Sequence, residues 1–397
     1  MGFPIVRRGG TPSESLACTL PVRLASLRRV RVLSVVGTRP NFVKTAPVIT
    51  ELLRRDTVEH TLVHTGQHYD RMMSEIFLEQ LGVPEPDHVL NVGSGSHALQ
   101  AARVLGRLGP ILEAERPDVV LVPGDVNSTM AASLATVQLG IPLGHIESGL
   151  RSFDRTMPEE NNRVVADHLS EFLFFHSAEA RENLLREGLG DRRLHFVGNT
   201  MIDSLVAVEE RFRDLAFADH VGVPSGQYLL VTLHRPALVD GHLLVDVVAE
   251  LNRVARDMPV VFPVHPRTAA RMDGIGLHPD LRAIKPVGYL EFLSLQADAA
   301  AVLTDSGGVQ EETTHLGVPC FTLRDNTERP VTLRAGTNQL LGLNPARIAE
   351  IPPAVNGWRP RVAPGPELWD GRASERLVDA LIGEMESVTA AAGTGRE

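Results

Sequence analysis

The sequence predicts an α/β protein built from two doubly wound parallel sheets that face each other across a cleft. Three observations support this fold class. The chain has 397 residues, which suits two domains of ordinary size. Short runs rich in valine and leucine alternate with longer amphipathic stretches. This alternation loosens once, between residues 199 and 226, and then starts again.

The first series of elements predicts an N-terminal domain over residues 29–200. Strands are expected at residues 31–36, 60–65, 118–123, 141–147, 172–175 and 194–197, with helices between them. Strands that alternate with helices form βαβ units, whose right-handed crossovers place helices on both faces of a parallel sheet.

The second series predicts a C-terminal domain over residues 201–370. Strands are expected at residues 228–233, 260–264, 281–286, 300–304 and 319–323. The proline-rich residues 344–368 should form an irregular segment, followed by an amphipathic helix at about 375–388 and a disordered tail. Ligands of doubly wound sheets bind beyond the carboxyl ends of the strands, so we expect the site in the cleft between the domains.

Composition argues against several classes of protein. A net charge of −10 is unsuited to a nucleic-acid partner. Two cysteines, Cys18 and Cys320, make neither a disulfide scaffold nor a zinc motif, and we expect a cytoplasmic protein. No apolar run approaches the ~18–20 residues that cross a membrane. The basic residues 1–28 lack the pattern of a signal peptide and are expected to be a disordered extension.

A glycine-rich stretch, Gly93–Ala98, matches a dinucleotide-binding pattern but lacks its context. That fingerprint follows a good strand and lies ~20 residues before an acidic residue that ends the next strand. Here residues 84–92 contain two prolines, and the next strand leads only to Asp125. We therefore expect a loop that enters a helix, and no nicotinamide cofactor.

The turn Gly37–Lys44 (GTRPNFVK) joins the first strand to a helix and is typical of an anion site. The first N–H groups of a helix are unpaired and lie at the positive end of its dipole. Arg39 could bind a phosphate through two nitrogens, and Lys44 would add a charge one turn later. The alternative is an ordinary turn with two solvated cations.

A second turn of this kind, Thr304–Glu312 (TDSGGVQEE), opens a helix in the C-terminal domain. Gly307 and Gly308 let backbone amides approach a diphosphate closely, and Ser306 can cap the helix. The Glu312 carboxylate could accept hydrogen bonds from two ribose hydroxyls. The segment therefore predicts nucleotide binding.

Three carboxylates are expected at one rim of the cleft. Asp125 and Glu147 end neighbouring strands, and Glu159 opens the next helix. A single acid at such a place often only caps a helix, but three together favour general acid–base catalysis. His145, near Glu147, is expected to support the site from behind.

His234 ends the first strand of the C-terminal domain and could stabilise a leaving phosphate or move a proton. Gln67 and His68 end another strand and could shape a sugar pocket. No HExxH motif or carboxylate cage is present, and we expect no metal.

The ordered motifs resemble the non-hydrolysing UDP-N-acetylglucosamine 2-epimerases. They run from about Arg31 to Gly342 and read GTRPNFVK, HTGQHYD, PGDVNST, HIESGLRS, PEENNR, LHRP, VHPRT, LTDSGGVQEE and RDNTERP. Such an ordered series is far more specific than any single motif.

The resemblance implies the glycosyltransferase-B architecture, a C-terminal helix (residues 371–390) that crosses back to the first domain, a homodimer and no cofactor. It also implies C2 inversion of a UDP-N-acetylhexosamine through loss of UDP to a 2-acetamidoglucal and its re-addition. By position, the catalytic residues would be Arg39, Lys44, Asp125, Glu147, Glu159 and His234. The UDP-binding residues would be Ser306, Gly307, Gly308 and Glu312, with Arg329 supporting them.

Two departures from the family pattern border the expected site. Asn41 stands where the family usually has a glutamate, and Ala237 and Leu238 follow HRP where Glu-Asn is common. They leave open a different sugar nucleotide, or a hydrolysing variant that releases N-acetylmannosamine and UDP. A glycosyltransferase of the same fold and a non-catalytic sugar-nucleotide sensor are the remaining alternatives.

Overall fold

The computed structural model describes residues 1–2, 28–66, 80–190, 193–239, 241–356 and 365–394. Within these ranges the chain forms two parallel sheets with helices on both faces of each. This arrangement confirms the predicted fold class.

The first sheet has seven strands in the order β3-β2-β1-β4-β5-β6-β7. Its strands are β1 (Val30–Val36), β2 (Val58–His64), β3 (His88–Val89), β4 (Val119–Pro123), β5 (Leu143–Ile146), β6 (Phe172–Phe175) and β7 (Leu194–Phe196). The strand order reverses between β1 and β4, and this is the point where doubly wound sheets bind ligands.

Among the described residues, the helices of the first sheet are α1 (Arg39–Leu53), α2 (His97–Glu115), α3 (Asn127–Gln138), α4 (Pro158–Leu169) and α5 (Ala178–Arg186). The Gly93–Ala98 stretch is a loop that enters α2, as the sequence predicts. The Ser96 side chain there accepts from the Leu99 amide at 3.4 Å and caps the helix.

Three short helices connect the two sheets: α6 (Thr200–Ala207), α7 (Glu209–Asp214) and α8 (Phe217–Val221). Apolar side chains of α6 and α7 form a cluster with Val43 of α1 and Leu293 of the second half of the chain. The cluster therefore packs the two halves of the chain against each other.

The second sheet has six strands in the order β10-β9-β8-β11-β12-β13, again all parallel. They are β8 (Leu229–Thr232), β9 (Val260–Pro263), β10 (Leu281–Ile284), β11 (Ala301–Thr304), β12 (Cys320–Thr322) and β13 (Asn338–Leu340). The order reverses between β8 and β11, which gives this sheet its own switch point.

The helices of this half are α9 (Pro236–Val239), α10 (Leu243–Val254), α11 (Pro266–Met272), α12 (Tyr289–Ala297), α13 (Gly307–Leu316) and α14 (Pro330–Arg334). A 3-10 helix (Pro345–Glu350) and α15 (Ile351–Asn356) follow, and α16 (Ala373–Thr394) ends the described chain. No helix within the described ranges is long and apolar enough to cross a membrane.

Helix α16 packs on the first sheet, although the second sheet immediately precedes it in sequence. Leu377 and Leu381 are fully buried against Val32, Leu52 and Phe172. The Asp203 carboxylate of α6 caps the helix, accepting from the Ala373 amide at 3.0 Å and the Ser374 amide at 2.6 Å.

The chain crosses between the two halves twice, and the two crossings touch. Gly198, in the first crossing, has φ +92°, and a Cβ there would lie 2.1 Å from the carbonyl oxygen of Leu368 in the second. Arg376 of α16 also donates to the carbonyl of Val197 at 3.1 Å. Only glycine allows so close an approach.

Several sequence expectations need correction. Residues 344–368 are not wholly irregular, because Pro345 begins the 3-10 helix at a position where proline fits, and α15 follows it. The last helix begins at Ala373 and continues to Thr394, past the expected start of a disordered tail. The short strands β3 and β13 were not predicted.

Replacing Leu381 by alanine should lower the free energy of unfolding by about 2–5 kcal/mol, because it leaves a cavity between α16 and the first sheet. Glu386, exposed on the same helix, provides the control. Glu386→Ala should change the free energy by under about 0.5 kcal/mol. Equal losses in urea unfolding would show that α16 does not dock as described.

Candidate functional site

The predicted site residues lie at the carboxyl ends of the central strands of both sheets. Lys44 lies on α1 after β1, and Asp125 and Glu147 follow β4 and β5. In the second sheet, His234 follows β8, and Ser306 follows β11. The two switch points thus bring these residues to one cleft.

A buried ion-pair network crosses the cleft. Lys44 Nζ contacts Glu147 Oε2, and Arg329 Nη2 of the second half donates to Glu147 Oε1 at 2.7 Å. All three side chains are buried. Burial alone would raise the pKa of Glu147, but the charges of Lys44 and Arg329 outweigh it, so this pKa lies below its usual value.

Glu147 is held in an unusual backbone conformation next to a close-packed glycine. Its φ is +69°, in the left-handed region that residues with a side chain rarely adopt. A Cβ on Gly124 would lie 3.0 Å from Lys44 Nζ and 3.4 Å from Glu147 Oε2. Such strain at a cleft is typical of functional residues.

Asp125 pairs with a cation that the sequence prediction missed, Arg163 of α4. Arg163 Nη1 also donates to Glu160 at 2.8 Å. Burial would raise the pKa of Asp125, but the charges of Arg163 and Lys44 outweigh this effect and hold the pKa below its usual value. The carboxylate is therefore ionised near neutral pH. Glu160 accepts from the Ser152 and Phe153 amides at 2.8 and 3.0 Å and fixes the preceding loop.

His145 supports the site from behind, in the place the sequence suggested. Its Nδ1 lies 2.6 Å from Asp167 Oδ1, and its Nε2 lies 2.7 Å from the carbonyl oxygen of Gly124. The fully buried ring therefore anchors the residue that precedes Asp125.

Two further buried residues, Glu311 and His176, complete the network and were also missed. Arg329 Nε lies 3.0 Å from Glu311 Oε1, and His176 Nε2 lies 3.2 Å from the same oxygen. Burial would raise the pKa of Glu311, but Arg329 and His176 lower it to about 2. The QEE sequence could have pointed to Glu311, whereas His176 carries no motif.

Glu147, His176 and Glu311 offer potential metal ligands within 4.8 Å of one another. Lys44 and Arg329 already contact these carboxylates. The donor set therefore fits a network of ion pairs better than a metal site, because a divalent ion would have to displace both cations.

His234 is oriented by Asp305. Its Nδ1 lies 2.8 Å from Asp305 Oδ1, and the other carboxylate oxygen accepts from the His234 and Arg235 amides at 2.9 and 2.7 Å. The His234 side chain is 60% exposed, and this contact leaves Nε2 as the ring nitrogen that can meet a ligand. The TDSGG motif thus supplies a positioning carboxylate as well as a turn.

The glycines at the start of α13 let neighbouring side chains pack directly against the helix backbone. A Cβ on Gly307 would lie 2.3 Å from Arg329 Nη1, and one on Gly308 would lie 2.6 Å from Met201 Cε. The Ser306 amide donates to Thr304 Oγ1 at 2.9 Å, while the Ser306 side chain makes no cap bond. Arg329 therefore lies between Glu147 and the first turn of α13.

Glu312 lies apart from this network. It is buried and accepts from Tyr289 Oη at 3.3 Å and Gln296 Nε2 at 3.2 Å. Burial raises the pKa of Glu312 to about 7. A role toward ribose stays a prediction for this residue.

The remaining predicted residues are placed less completely. Glu159 is exposed on α4, and its charge acts on Arg235 across the cleft. Arg39 begins α1, but its side chain is outside the described part of the structure, as are Gln67 and His68.

Residues 50–382 match the family model described as UDP-N-acetylglucosamine 2-epimerase. The chain belongs to the UDP-N-acetylglucosamine 2-epimerase family. This match spans most of the chain and confirms both the predicted family and the prediction that the protein is an enzyme.

Relatives in this family are similar along most of their length. A UDP-N-acetylglucosamine 2-epimerase of Methanococcus maripaludis is 45% identical over 327 residues, covering 79% of this chain and 88% of the relative. The structure of the Methanocaldococcus jannaschii UDP-GlcNAc 2-epimerase in complex with UDP-GlcNAc and UDP superposes with a TM-score of 0.81 at 38% identity, covering 89% and 99% of the two chains.

A third relative carries a different name. The UDP-2,3-diacetamido-2,3-dideoxy-D-glucuronate 2-epimerase of Pseudomonas aeruginosa is 38% identical over 358 residues, covering 89% of this chain and 99% of the relative. The epimerase family to which the chain belongs therefore includes proteins named for more than one UDP-sugar.

Glu312→Gln should raise the melting temperature at pH 8 more than at pH 5. The pKa of Glu312 is raised from 4.5 to about 7, so its neutral form favours folding below pH 4.5, and this contribution disappears as the pH rises through about 7. Glutamine keeps the neutral form at every pH. Exposed Glu210→Gln is the control and should shift both temperatures equally. An equal shift for Glu312→Gln would contradict the assignment.

Proposed function

We propose that this protein inverts carbon 2 of a UDP-N-acetylhexosamine and converts UDP-N-acetylglucosamine to UDP-N-acetylmannosamine. The observation that carries the proposal is the Lys44–Glu147–Arg329 network, which joins a buried carboxylate of one sheet to a cation beside the first turn of α13 in the other. The proposed acid–base groups and the proposed diphosphate site would thus lie next to each other.

The chemistry follows from the position of the C2 proton. C2–H is not adjacent to a carbonyl, so simple deprotonation is too costly. Elimination avoids this problem, since a base removes the C2 proton, its electrons form the C1=C2 bond, and the C1–O bond breaks to release UDP. UDP then adds back to the 2-acetamidoglucal while C2 receives a proton on the opposite face, so atoms and charge balance.

Asp125 and Glu147 are the proposed proton-transfer groups, with Glu159 as a third candidate at the rim. Both Asp125 and Glu147 are ionised near neutral pH because their pKa values lie below the usual ones. Either carboxylate can therefore accept a proton. Arg39, Lys44, His234 and the start of α13 would stabilise the departing diphosphate.

Arg329 connects nucleotide binding to the strength of the base. Its guanidinium contacts Glu147 and lies against Gly307, where a diphosphate would bind. A diphosphate that draws Arg329 and Lys44 toward itself would weaken their pairs with Glu147. The pKa of Glu147 would then rise, so the carboxylate becomes a stronger base only when substrate is present.

A UDP-2,3-diacetamido-2,3-dideoxy-D-glucuronate is a second candidate substrate. The Pseudomonas aeruginosa relative is named for a UDP-2,3-diacetamido-2,3-dideoxy-D-glucuronate, and its identity to this chain is 38%. A C2 inversion of that sugar would use the same acid–base groups. Direct comparison of the two UDP-sugars decides between them.

We also propose that residues 29–200 and 201–370 form the two domains and that residues 371–390 return to the first. A cytoplasmic homodimer without metal or cofactor remains the expected state.

Incubation with UDP-N-acetylglucosamine in D2O, followed by proton NMR, tests the reaction. We expect UDP-N-acetylmannosamine with deuterium at C2. Free N-acetylmannosamine and UDP would identify a hydrolysing enzyme instead. Binding without turnover of either UDP-sugar would favour the sensor, and sugar transfer to an added acceptor would favour the glycosyltransferase.

Asp125→Asn and Glu147→Gln should each lower kcat by about 10²–10⁴-fold, since each removes a proton-transfer group. Glutamine and asparagine keep the size of the side chains, and melting temperatures control for loss of folding. If both variants fold and turn over substrate near the wild-type rate, the acid–base assignment is wrong.

Ser306→Ala combined with Glu312→Ala should weaken UDP binding, measured by calorimetry, by at least about tenfold. Asp125→Asn is the control, because it should leave UDP affinity nearly unchanged. Unchanged UDP affinity in the double variant would place the nucleotide elsewhere.

A further inference from the structure

Asn41, in the first turn of α1, is almost completely buried. Its Oδ1 accepts from the Gly37 and Thr38 amides at 3.1 and 3.2 Å. A glutamate could make these bonds too. The Asn41 Nδ2, however, donates to the carbonyl oxygen of Pro123 at 3.1 Å. An ionised carboxylate has no hydrogen to donate and cannot make this bond.

These bonds join two loops that carry site residues. Gly37 and Thr38 form the turn that places Arg39 and the start of α1, while Pro123 ends β4 just before Asp125. One side chain thus accepts from the first loop and donates to the second. The two loops follow the paired strands β1 and β4, and Asn41 links them beyond the end of that pairing. The same Pro123 oxygen also accepts from Thr129 Oγ1 at 2.6 Å.

Asn41 also lies against the Lys44–Glu147 pair. A Cβ on Gly124 would lie 3.5 Å from Asn41 Nδ2, 3.0 Å from Lys44 Nζ and 3.4 Å from Glu147 Oε2. The three side chains therefore surround one backbone position. A carboxylate at residue 41 would add a negative charge next to a pair that is nearly neutral.

We propose that Asn41 is a positioning residue for the C2 inversion. Its side chain couples the β1–α1 turn to the Asp125 loop and, being uncharged, adds no negative charge to the acid–base cluster. The inference rests on the proposed function.

The electrostatic consequence depends on every charge that faces the two acids. Asp125 is influenced by Arg163, Lys44 and Glu147. Glu147 is influenced in turn by Lys44, Arg329, Glu311 and His176. A further carboxylate in this enclosed cluster would raise the pKa of both acids, so each would become protonated at a higher pH.

The test compares Asn41→Asp with Asn41→Ala in the full-length enzyme. Asn41→Asp should lower kcat by about 10- to 100-fold and leave KM little changed, because it loses the bond to Pro123 and adds charge without touching substrate. The acidic limb of its kcat–pH profile should move to higher pH. Asn41→Ala should also lower kcat, but its acidic limb should coincide with that of the wild type.

Asn338→Asp is the matched control, since Asn338 is a buried asparagine of the second sheet that donates to Gln310 at 3.0 Å. It should lower the melting temperature without moving the acidic limb. If Asn41→Asp folds and keeps the wild-type limb, or if Asn41→Ala keeps kcat within about twofold, the proposal fails. If the wild type does not invert UDP-N-acetylglucosamine or the diacetamido-glucuronate sugar, the proposed function fails first.

Discussion

The arrangement of the cleft depends on Arg329, a buried cation shared by two carboxylates. It contacts Glu147 of the first sheet and Glu311 of its own half of the chain. Each of these acids is too deeply buried to remain ionised alone, since an uncompensated buried charge costs several kcal/mol. The ion pairs therefore keep the acids charged and, at the same time, hold the two halves together.

These ion pairs stabilise the cleft, but they can also be exchanged for contacts with an anionic ligand. A fully paired set of charges is rigid as long as its partners stay in place. On the proposed function, the UDP diphosphate would compete for the cations that the acids use, so contacts that stabilise the unliganded cleft would be exchanged when UDP binds. The residues of the structural ion pairs would then also be binding groups.

The sequence was informative where local pattern determines structure. Alternating strands and helices predicted both sheets, because buried parallel strands are continuous apolar runs between amphipathic helices. The positions of Lys44, Asp125 and Glu147 followed from the rule that parallel strands end at one edge. His176, Arg163 and Glu311 could not be assigned from pattern, since their roles depend on which side chains meet across elements far apart in sequence.

Two differences near the end of the chain have different causes. The 3-10 helix at Pro345 lies in a segment whose prolines suggested irregular chain, yet proline is well suited to the first position of a helix. The start of α16 at Ala373 depends on a tertiary contact, because the Asp203 carboxylate of α6 accepts from the Ala373 and Ser374 amides. Leu377 and Leu381 then bury one face of the helix against the first sheet.

The contact between the two crossings makes the connections of the two halves depend on each other. Gly198 lies against the carbonyl of Leu368, and Arg376 donates to the carbonyls of Val197 and Leu368. A side chain at residue 198 would therefore disturb both connections between the halves at once, because each crossing packs directly on the other.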